Sequence, residues 1–255
     1  MAEGEQPTDL TTRVRAWLRQ QGFALEYETA RGFRAAGFRA QQGLTYRDRE
    51  TGKTREIDVV AELPPQQLRP PTGWPRFRVV VECKSSAQPW IVRKTTLDDE
   101  QKRWRPIATK LVVNYLANHQ TLDRFLVGDP TGIEADAMRN KNGDQNGAHD
   151  ALAQVVSATL GLLSEHDPVY LHPVVVLDGQ LFSLWYGDDG IEDLRPSLLE
   201  RVLWSGGSHS SRPVLIDVVT RDGLAACCSR LKAELEGIER SLPQRSFVAP
   251  TAVGF

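Results

Sequence analysis

Arg55-Glu56-Ile57-Asp58-Val59-Val60-Ala61 and Phe77-Arg78-Val79-Val80-Val81-Glu82-Cys83-Lys84-Ser85-Ser86 are two short apolar runs with acids set into them. Both are rich in β-branched residues and bounded by turn formers, which reads as a pair of buried strands. Side chains alternate faces along a strand. Glu82 and Lys84 therefore share one side, while Val79, Val81 and Cys83 share the other, toward a core. Asp58, between Ile57 and Val59, projects from the face opposite to theirs. If the strands pair, Asp58, Glu82 and Lys84 meet at one spot. Two carboxylates and an ammonium are costly inside such strands unless a partner or a metal compensates them. That cost is the first reason to expect a site.

An Asp behind an apolar residue, followed by Glu-x-Lys at the end of an apolar strand, resembles the PD-(D/E)xK nuclease superfamily, which has the restriction-endonuclease-like fold. The first motif here is Glu56-Ile57-Asp58, without the proline, and the second is Glu82-Cys83-Lys84. Upstream, Leu25-Glu26-Tyr27-Glu28-Thr29-Ala30 leads through Phe33 to Gly37-Phe38. That stretch resembles the acidic first helix of archaeal Holliday-junction resolvases and related prokaryotic restriction nucleases. The family spacing to the Gly-aromatic pair selects Glu26 as the functional acid, with Glu28 as the fallback.

The resemblance implies a metal-dependent nuclease that hydrolyses phosphodiester bonds of DNA. By resemblance, Asp58 and Glu82 ligate Mg²⁺, for which Mn²⁺ can substitute, and the backbone carbonyl of Cys83 adds a ligand. Lys84 positions or polarises the attacking water and contacts the scissile phosphate. Glu26 completes the acidic pocket, on a second ion or through water. Oxygen donors suit Mg²⁺, which takes few carboxylates and keeps several waters. Such an ion activates water and stabilises transition-state charge. RNA stays open as a substrate, because a metal site reads phosphate and not sugar. No helicase motif, P-loop or recognition-helix module is present in the sequence, so specificity falls to an insertion or to a partner protein. A homodimer stays open. By fold-level analogy alone, the setting is prokaryotic defence or repair. The alternative class is a catalytically silent subunit of the same fold that binds nucleic acid or a protein. Silent members lose the Lys or one acid; here all stand in order, which favours the active reading.

The chain has 255 residues, 40% hydrophobic and 25% charged, which fits one globular domain with insertions or two small ones. No apolar run approaches the roughly 20 residues that span a bilayer, and no signal peptide opens the chain. The expectation is a cytoplasmic protein with no membrane partner. Cys83, Cys227 and Cys228 form no CxxC, which suits a reducing compartment. His119, His149, His166, His172 and His209 lack zinc-finger spacing. A net charge of −2 and a pI near 6.2 count against simple DNA coating.

In order, the pattern predicts a helix bearing Val14, Trp17 and Leu18, then a helix over 24–36 that ends at Gly37. A strand over 43–49 turns at 50–53 into the Asp58 strand as a hairpin. Residues 63–75 hold five of the 15 prolines and read as a loop. A short strand or wall follows at 89–92, a helix over 96–118 broken at Pro106, and a loop over 128–150. A helix over 149–164 precedes a hairpin of 169–177 and 180–186 about Asp178-Gly179. Residues 194–204 are mixed, 214–220 a strand and 223–238 a closing helix. The reading is one α/β domain over 1–255: a mixed sheet flanked by helices, with core 9–86 and 148–240 and a helical or loop insertion at 87–147.

Other signals are weaker. Glu100-Gln101-Lys102 repeats Glu-x-Lys, but in an expected helix where residues two apart face different ways. Asp217 copies the context of Asp58 with no Glu-x-Lys strand after it, and reads as a structural acid. Cys83 reads as a small buried hydrophobe. Trp90 and Trp104 read as core or loop anchors. Gln154 resembles the helix glutamine of some relatives, but Ala158 stands where a Tyr is expected, so Gln154 is left out of the site. The run Arg31, Arg34, Arg39, Arg47, Arg49, Lys53 and Arg55 reads equally well as a solvated face or as a phosphate-contacting one.

Overall fold

A strand that is apolar on both faces needs a layer packed on each side, and three such strands form the centre of this sheet. The computed structural model describes residues 9–20, 22–66, 73–95, 107–108, 112, 131–137, 147–163, 167–187, 190–205 and 213–242. In chain order the elements are α1 (Leu10–Gln20), α2 (Phe23–Ala35), β1 (Arg39–Arg47), β2 (Thr54–Leu63) and β3 (Arg76–Ser85). Then come β4 (Trp90–Thr95), β5 (Ile107–Ala108), β6 (Thr131–Ala137), α3 (Gly147–Gly161), β7 (Val169–Asp178) and β8 (Leu181–Tyr186). The last are β9 (Glu192–Ser197), β10 (Leu199–Trp204), β11 (Val214–Thr220) and α4 (Leu224–Ser241).

The sheet order is β1-β2-β3-β7-β11-β10-β6-β4-β8-β9, with β5 added on β7. β1, β2 and β3 form an antiparallel meander, and β3, β7 and β11 run parallel to one another. The fold is therefore α/β, a mixed sheet with helices on both faces. α2 and α4 cover one face over Val59, Val81, Val174, Val176 and Val219. α3 covers the other over Val60, Val80, Val175, Leu177 and Val218. Each such buried side chain contributes about 1.5–3 kcal/mol, so the centre of the sheet carries much of the stability.

The Asp178-Gly179 signal misplaces a hairpin. β7 has both edges occupied, by β3 and by β11, so β8 cannot fold back on it. Instead the parallel pairing of β3 with β7 continues through a shared bend into β4 with β8. Ser86 N–H donates to Asp178 O at 3.0 Å and Trp90 N–H to Gln180 O at 2.8 Å. Gly179 permits the stacked bends, since a Cβ there would lie 2.7 Å from Ser86 O.

Two further expectations are corrected. Within 96–118, Ile107–Ala108 is a strand paired with Leu171 and Tyr170, not helix; the rest of that range, except Val112, lies outside the described residues. Within 128–150, Thr131–Ala137 is the strand β6, and α3 starts at Gly147. Gly132 and two acids lower the strand propensity of β6, so its neighbours β4 and β10 impose the conformation. Both β4 and β6 lie in the range read as an insertion and are rungs of the common sheet. α1 forms as expected, with Val14, Trp17 and Leu18 exposed. Among the described residues no helix is long and apolar enough to cross a membrane.

Candidate active site

The β2–β3 ladder runs from Leu63↔Phe77 to Val59↔Val81 and stops. Beyond it, the Asp58 carboxylate takes over the role of a backbone acceptor: Cys83 N–H donates to Asp58 Oδ2 at 2.7 Å. The local backbone explains how. Gly43 on β1, with φ 68°, lies between the pairs Gln42↔Val59 and Leu44↔Ile57. Glycine adopts this left-handed conformation without a Cβ clash. Ile57 is buried on the α3 side of the sheet, whereas Val59 is buried on the α2 side. Residues two apart share a face in a regular strand, so the expected common face of Ile57 and Val59 is not kept. β2 turns over at Asp58, and the carboxylate comes toward β3.

Glu82 and Lys84 share a side, as the alternation requires, and Lys84 Nζ lies 2.8 Å from Glu82 Oε1. Lys84 also donates to Gln154 Oε1 at 2.8 Å. Ala158 stands where a tyrosine is expected, yet α3 lies across β3 and brings Gln154 into the site. Its legible signal was only its place on an amphipathic helix that had to cover this strand.

Glu26 sits in the first turn of α2. Burial, then the charges of Asp58, Glu56 and Glu82, push its carboxyl up to about 7. Glu28 faces elsewhere and meets Arg221 Nη2 at 2.6 Å. Of the two candidate acids, Glu26 is the one that feels Asp58 and Glu82. Burial raises Asp58, and Glu56 adds to the rise, against the Cys83 N–H and the Lys84 charge. Burial also raises Glu82, followed by Asp58, with Lys84 opposing. Glu56, absent from the expected set, acts on both Glu26 and Asp58; its signal was its position two residues before Asp58. Cys83 packs against the α2-side core with Sγ 3.6 Å from Thr29 Oγ1. Burial pushes its thiol well above the usual range, which argues against a thiolate nucleophile.

No known protein family, curated protein or solved structure matches the chain. The site has to be judged on its own chemistry. Among the described residues, no three His, Cys, Asp or Glu side chains are gathered closely enough to hold a metal by themselves. What is present is two half-buried carboxylates on adjacent strands, with raised proton affinity and the Cys83 backbone between them. That donor set fits a hard cation that takes one or two carboxylates and keeps its waters. It does not fit zinc, which wants nitrogen or thiolate donors.

The remaining candidates lie apart from this cluster. Asp217 is fully buried on β11, with His172 Nε2 at 2.7 Å, Arg230 Nη2 at 2.8 Å and Arg201 Nε at 3.2 Å. This is a structural ion network. Trp90 is a core residue. Trp104 and Glu100-Gln101-Lys102 lie outside the described residues. In the basic run, Arg34, Arg47 and Arg49 donate to Ala40 O, Gly52 O and Leu163 O, and Arg55 pairs with Asp48. These four serve local structure.

The raised Glu26 carboxyl has a measurable consequence. A carboxyl that holds its proton more tightly when folded lowers stability as pH rises from 4.5 toward about 7. Glu26→Gln is expected to leave the melting temperature unchanged near pH 4. At pH 8 it should add about 1 kcal/mol of stability, a figure already reduced for solvent screening of this half-exposed group. Glu28→Gln should show no such pH-dependent gain. Identical wild-type and Glu26→Gln stabilities across that pH range would remove Glu26 from the acidic cluster.

Proposed function

We propose that the protein is a metal-dependent nuclease of the PD-(D/E)xK type, with a restriction-endonuclease-like core, that hydrolyses phosphodiester bonds of DNA in the cytoplasm. The observation that carries this reading is the place where β2 leaves β3. There Asp58 replaces the ladder at Cys83 N–H, and Glu82 and Lys84 stand at the same mouth. Asp58, Glu82 and the Cys83 carbonyl would hold Mg²⁺ or Mn²⁺, with Glu26 completing the pocket. A divalent ion bound there supplies charge stabilisation at the phosphate and activation of water. Lys84 has three N–H donors. Glu82 and Gln154 occupy two of them, which leaves one for a phosphate oxygen or the attacking water. Gln154 fixes the direction in which that third proton points.

Incubation of the purified protein with linear, circular, branched and single-stranded DNA tests the reading. Cleavage is expected with Mg²⁺, at least as well with Mn²⁺, and not in EDTA. Undiminished cleavage in EDTA, with contaminants excluded by an inactive variant, overturns it. Gln154→Ala is expected to lower kcat by about tenfold with little change in KM, as for an outer residue that orients a catalytic group. Gln154→Glu, which keeps an acceptor for Lys84, should retain most of the rate. Equal losses in both variants would show that the Lys84 contact is immaterial. A second reading, a silent subunit that binds nucleic acid or a protein, draws on the lack of a three-donor group among the described residues. DNA binding without cleavage in Mn²⁺ would favour it.

A further inference from the structure

Gly161 is the last residue of α3, and its φ is not in the left-handed region, so no turn requires a glycine there. Its neighbour does. A Cβ at Gly161 would lie 2.2 Å from Cδ2 of Tyr46, on β1, and 3.1 Å from Cγ and Cε2 of the same ring. Tyr46 is only 7% exposed and packs in the core on the α3 side, so the ring has little room to retreat. One turn back along the helix, Ser157 Oγ–H donates to Asp48 Oδ2 at 3.2 Å and meets the Tyr46 hydroxyl. Asp48 is itself fixed. Its Oδ1 accepts the N–H groups of Glu50 and Thr51 at 3.0 and 2.8 Å, and Arg55 Nε lies 3.0 Å from its Oδ2. Arg49, in the same turn, donates to Leu163 O at 2.8 Å. The β1–β2 hairpin thus grips the C-terminal half of α3.

Gln154 lies three residues before Ser157 and seven before Gly161. Residues at this spacing share one face of a helix, and on that face Gln154 accepts from Lys84 at 2.8 Å. α3 is one unbroken helix over Gly147–Gly161. A change in how closely its end meets Tyr46 is therefore carried to Gln154, about 10 Å along the axis. A shift of about 1 Å there would take Gln154 out of hydrogen-bond reach. We propose that Tyr46, Ser157 and Gly161 are positioning residues for Lys84: they set the height of α3 over β3 and, through Gln154, the direction of the ammonium. As a statement about rate this rests on the nuclease reading above; as a statement about the Lys84–Gln154 bond it does not.

Crystal structures and cleavage kinetics in Mn²⁺, on wild type, Gly161→Ala, Gln154→Ala and the double variant, test it. Gly161→Ala is expected to lengthen the Lys84–Gln154 contact beyond about 3.5 Å. It should lower kcat about tenfold per folded molecule, with KM little changed. In the Gln154→Ala background the same change should cost less than about twofold more, because the link it acts through is already gone. Ser157→Ala removes a hydroxyl and adds no bulk, so it serves should Gly161→Ala fold poorly. It should lower kcat about threefold, again only while Gln154 is present. Losses that multiply to about a hundredfold in the double variant overturn the proposal. So does a Lys84–Gln154 contact that stays at 2.8 Å in Gly161→Ala. If the wild type does not cut, the nuclease reading fails, and the contact distances in the crystals still decide whether the hairpin sets Lys84.

Discussion

Asp58→Asn is expected to bind DNA several-fold more tightly than the wild type in EDTA and yet to cut it about a thousandfold more slowly, or not at all, with Mg²⁺. Without a cation, Glu26, Asp58, Glu56 and Glu82 bring negative charge to where a phosphate would sit, and the proton affinity of Glu26, Asp58 and Glu82 is raised by burial first and by neighbouring carboxylates second. Removing one charge about 4–6 Å from a phosphate relieves on the order of 1 kcal/mol in a partly wet site. The same change removes a metal ligand, and with it the ion's contribution to the reaction. An asparagine oxygen can still accept the Cys83 N–H, so the strands should stay as they are. Lys84→Ala should also fail to cut, but without tighter binding, because it removes a cation. If Glu82 and Lys84 form only a structural ion pair, both variants would melt earlier and cleavage per folded molecule would be unchanged. Melting temperature, affinity in EDTA and cleavage rate, measured on both variants, decide between these outcomes.

Asp217→Ala should cost about 3–5 kcal/mol of stability, a large share of the roughly 5–15 kcal/mol of an ordinary domain. The carboxylate is fully buried between His172, Arg201 and Arg230, and the two arginines also meet Glu234. Removing it takes away the carboxylate shared by the three, leaving the buried His172 facing two arginines that keep Glu234. Burial alone would raise its proton affinity, but His172 and then Arg201 reverse this and hold the carboxyl below its ordinary 3.8. An acid depressed in this way stabilises the fold above its unfolded pKa, and the gain is lost as pH falls through the folded value. Wild type should therefore lose stability more steeply than Asp217→Ala below about pH 4. Urea unfolding at pH 7 and across the acid range measures both effects. A loss under about 1 kcal/mol at pH 7 would mean that the network is solvated and contributes no more than a surface pair.

What could be read from the sequence follows from where the forces are local. β2 and β3 were legible because runs such as Val79-Val80-Val81 bury on both faces wherever they are placed. The end of α2 was legible because Gly37 takes a left-handed turn, with φ 97°. The choice of Glu26 over Glu28 follows a family spacing; in the structure Glu28 pairs with Arg221, and Glu26 is the one whose carboxyl feels Asp58 and Glu82. What failed depended on partners distant in the chain. Thr131–Ala137 has a glycine and two acids, and nothing in it announces a strand until β4 and β10 flank it. The Asp178-Gly179 turn is real, but a turn does not say whether an edge is free. A helix-internal pattern excludes Gln154, while its contact with Lys84 depends on how α3 crosses β3. Glu56 stands in a motif frame, and its effect as a charge on Glu26 and Asp58 depends on the fold.

The parallel register of β3 with β7 also sets a timetable. On the ribosome, α1 through β3 emerge first and can pair as a local meander. Lys84 then has neither its strand neighbour Leu177 nor its acceptor Gln154, because both lie beyond the whole of 86–153. At roughly 5–20 residues per second, several seconds pass between the emergence of the acids and that of the strand that sets them in place. Through that interval the outer edge of β3 is open, and an open apolar edge pairs with whatever strand it meets. The newborn chain thus carries its acids unassembled and its stickiest strand unprotected, so co-translational aggregation should start from β3 and end once residue 178 is clear of the ribosome.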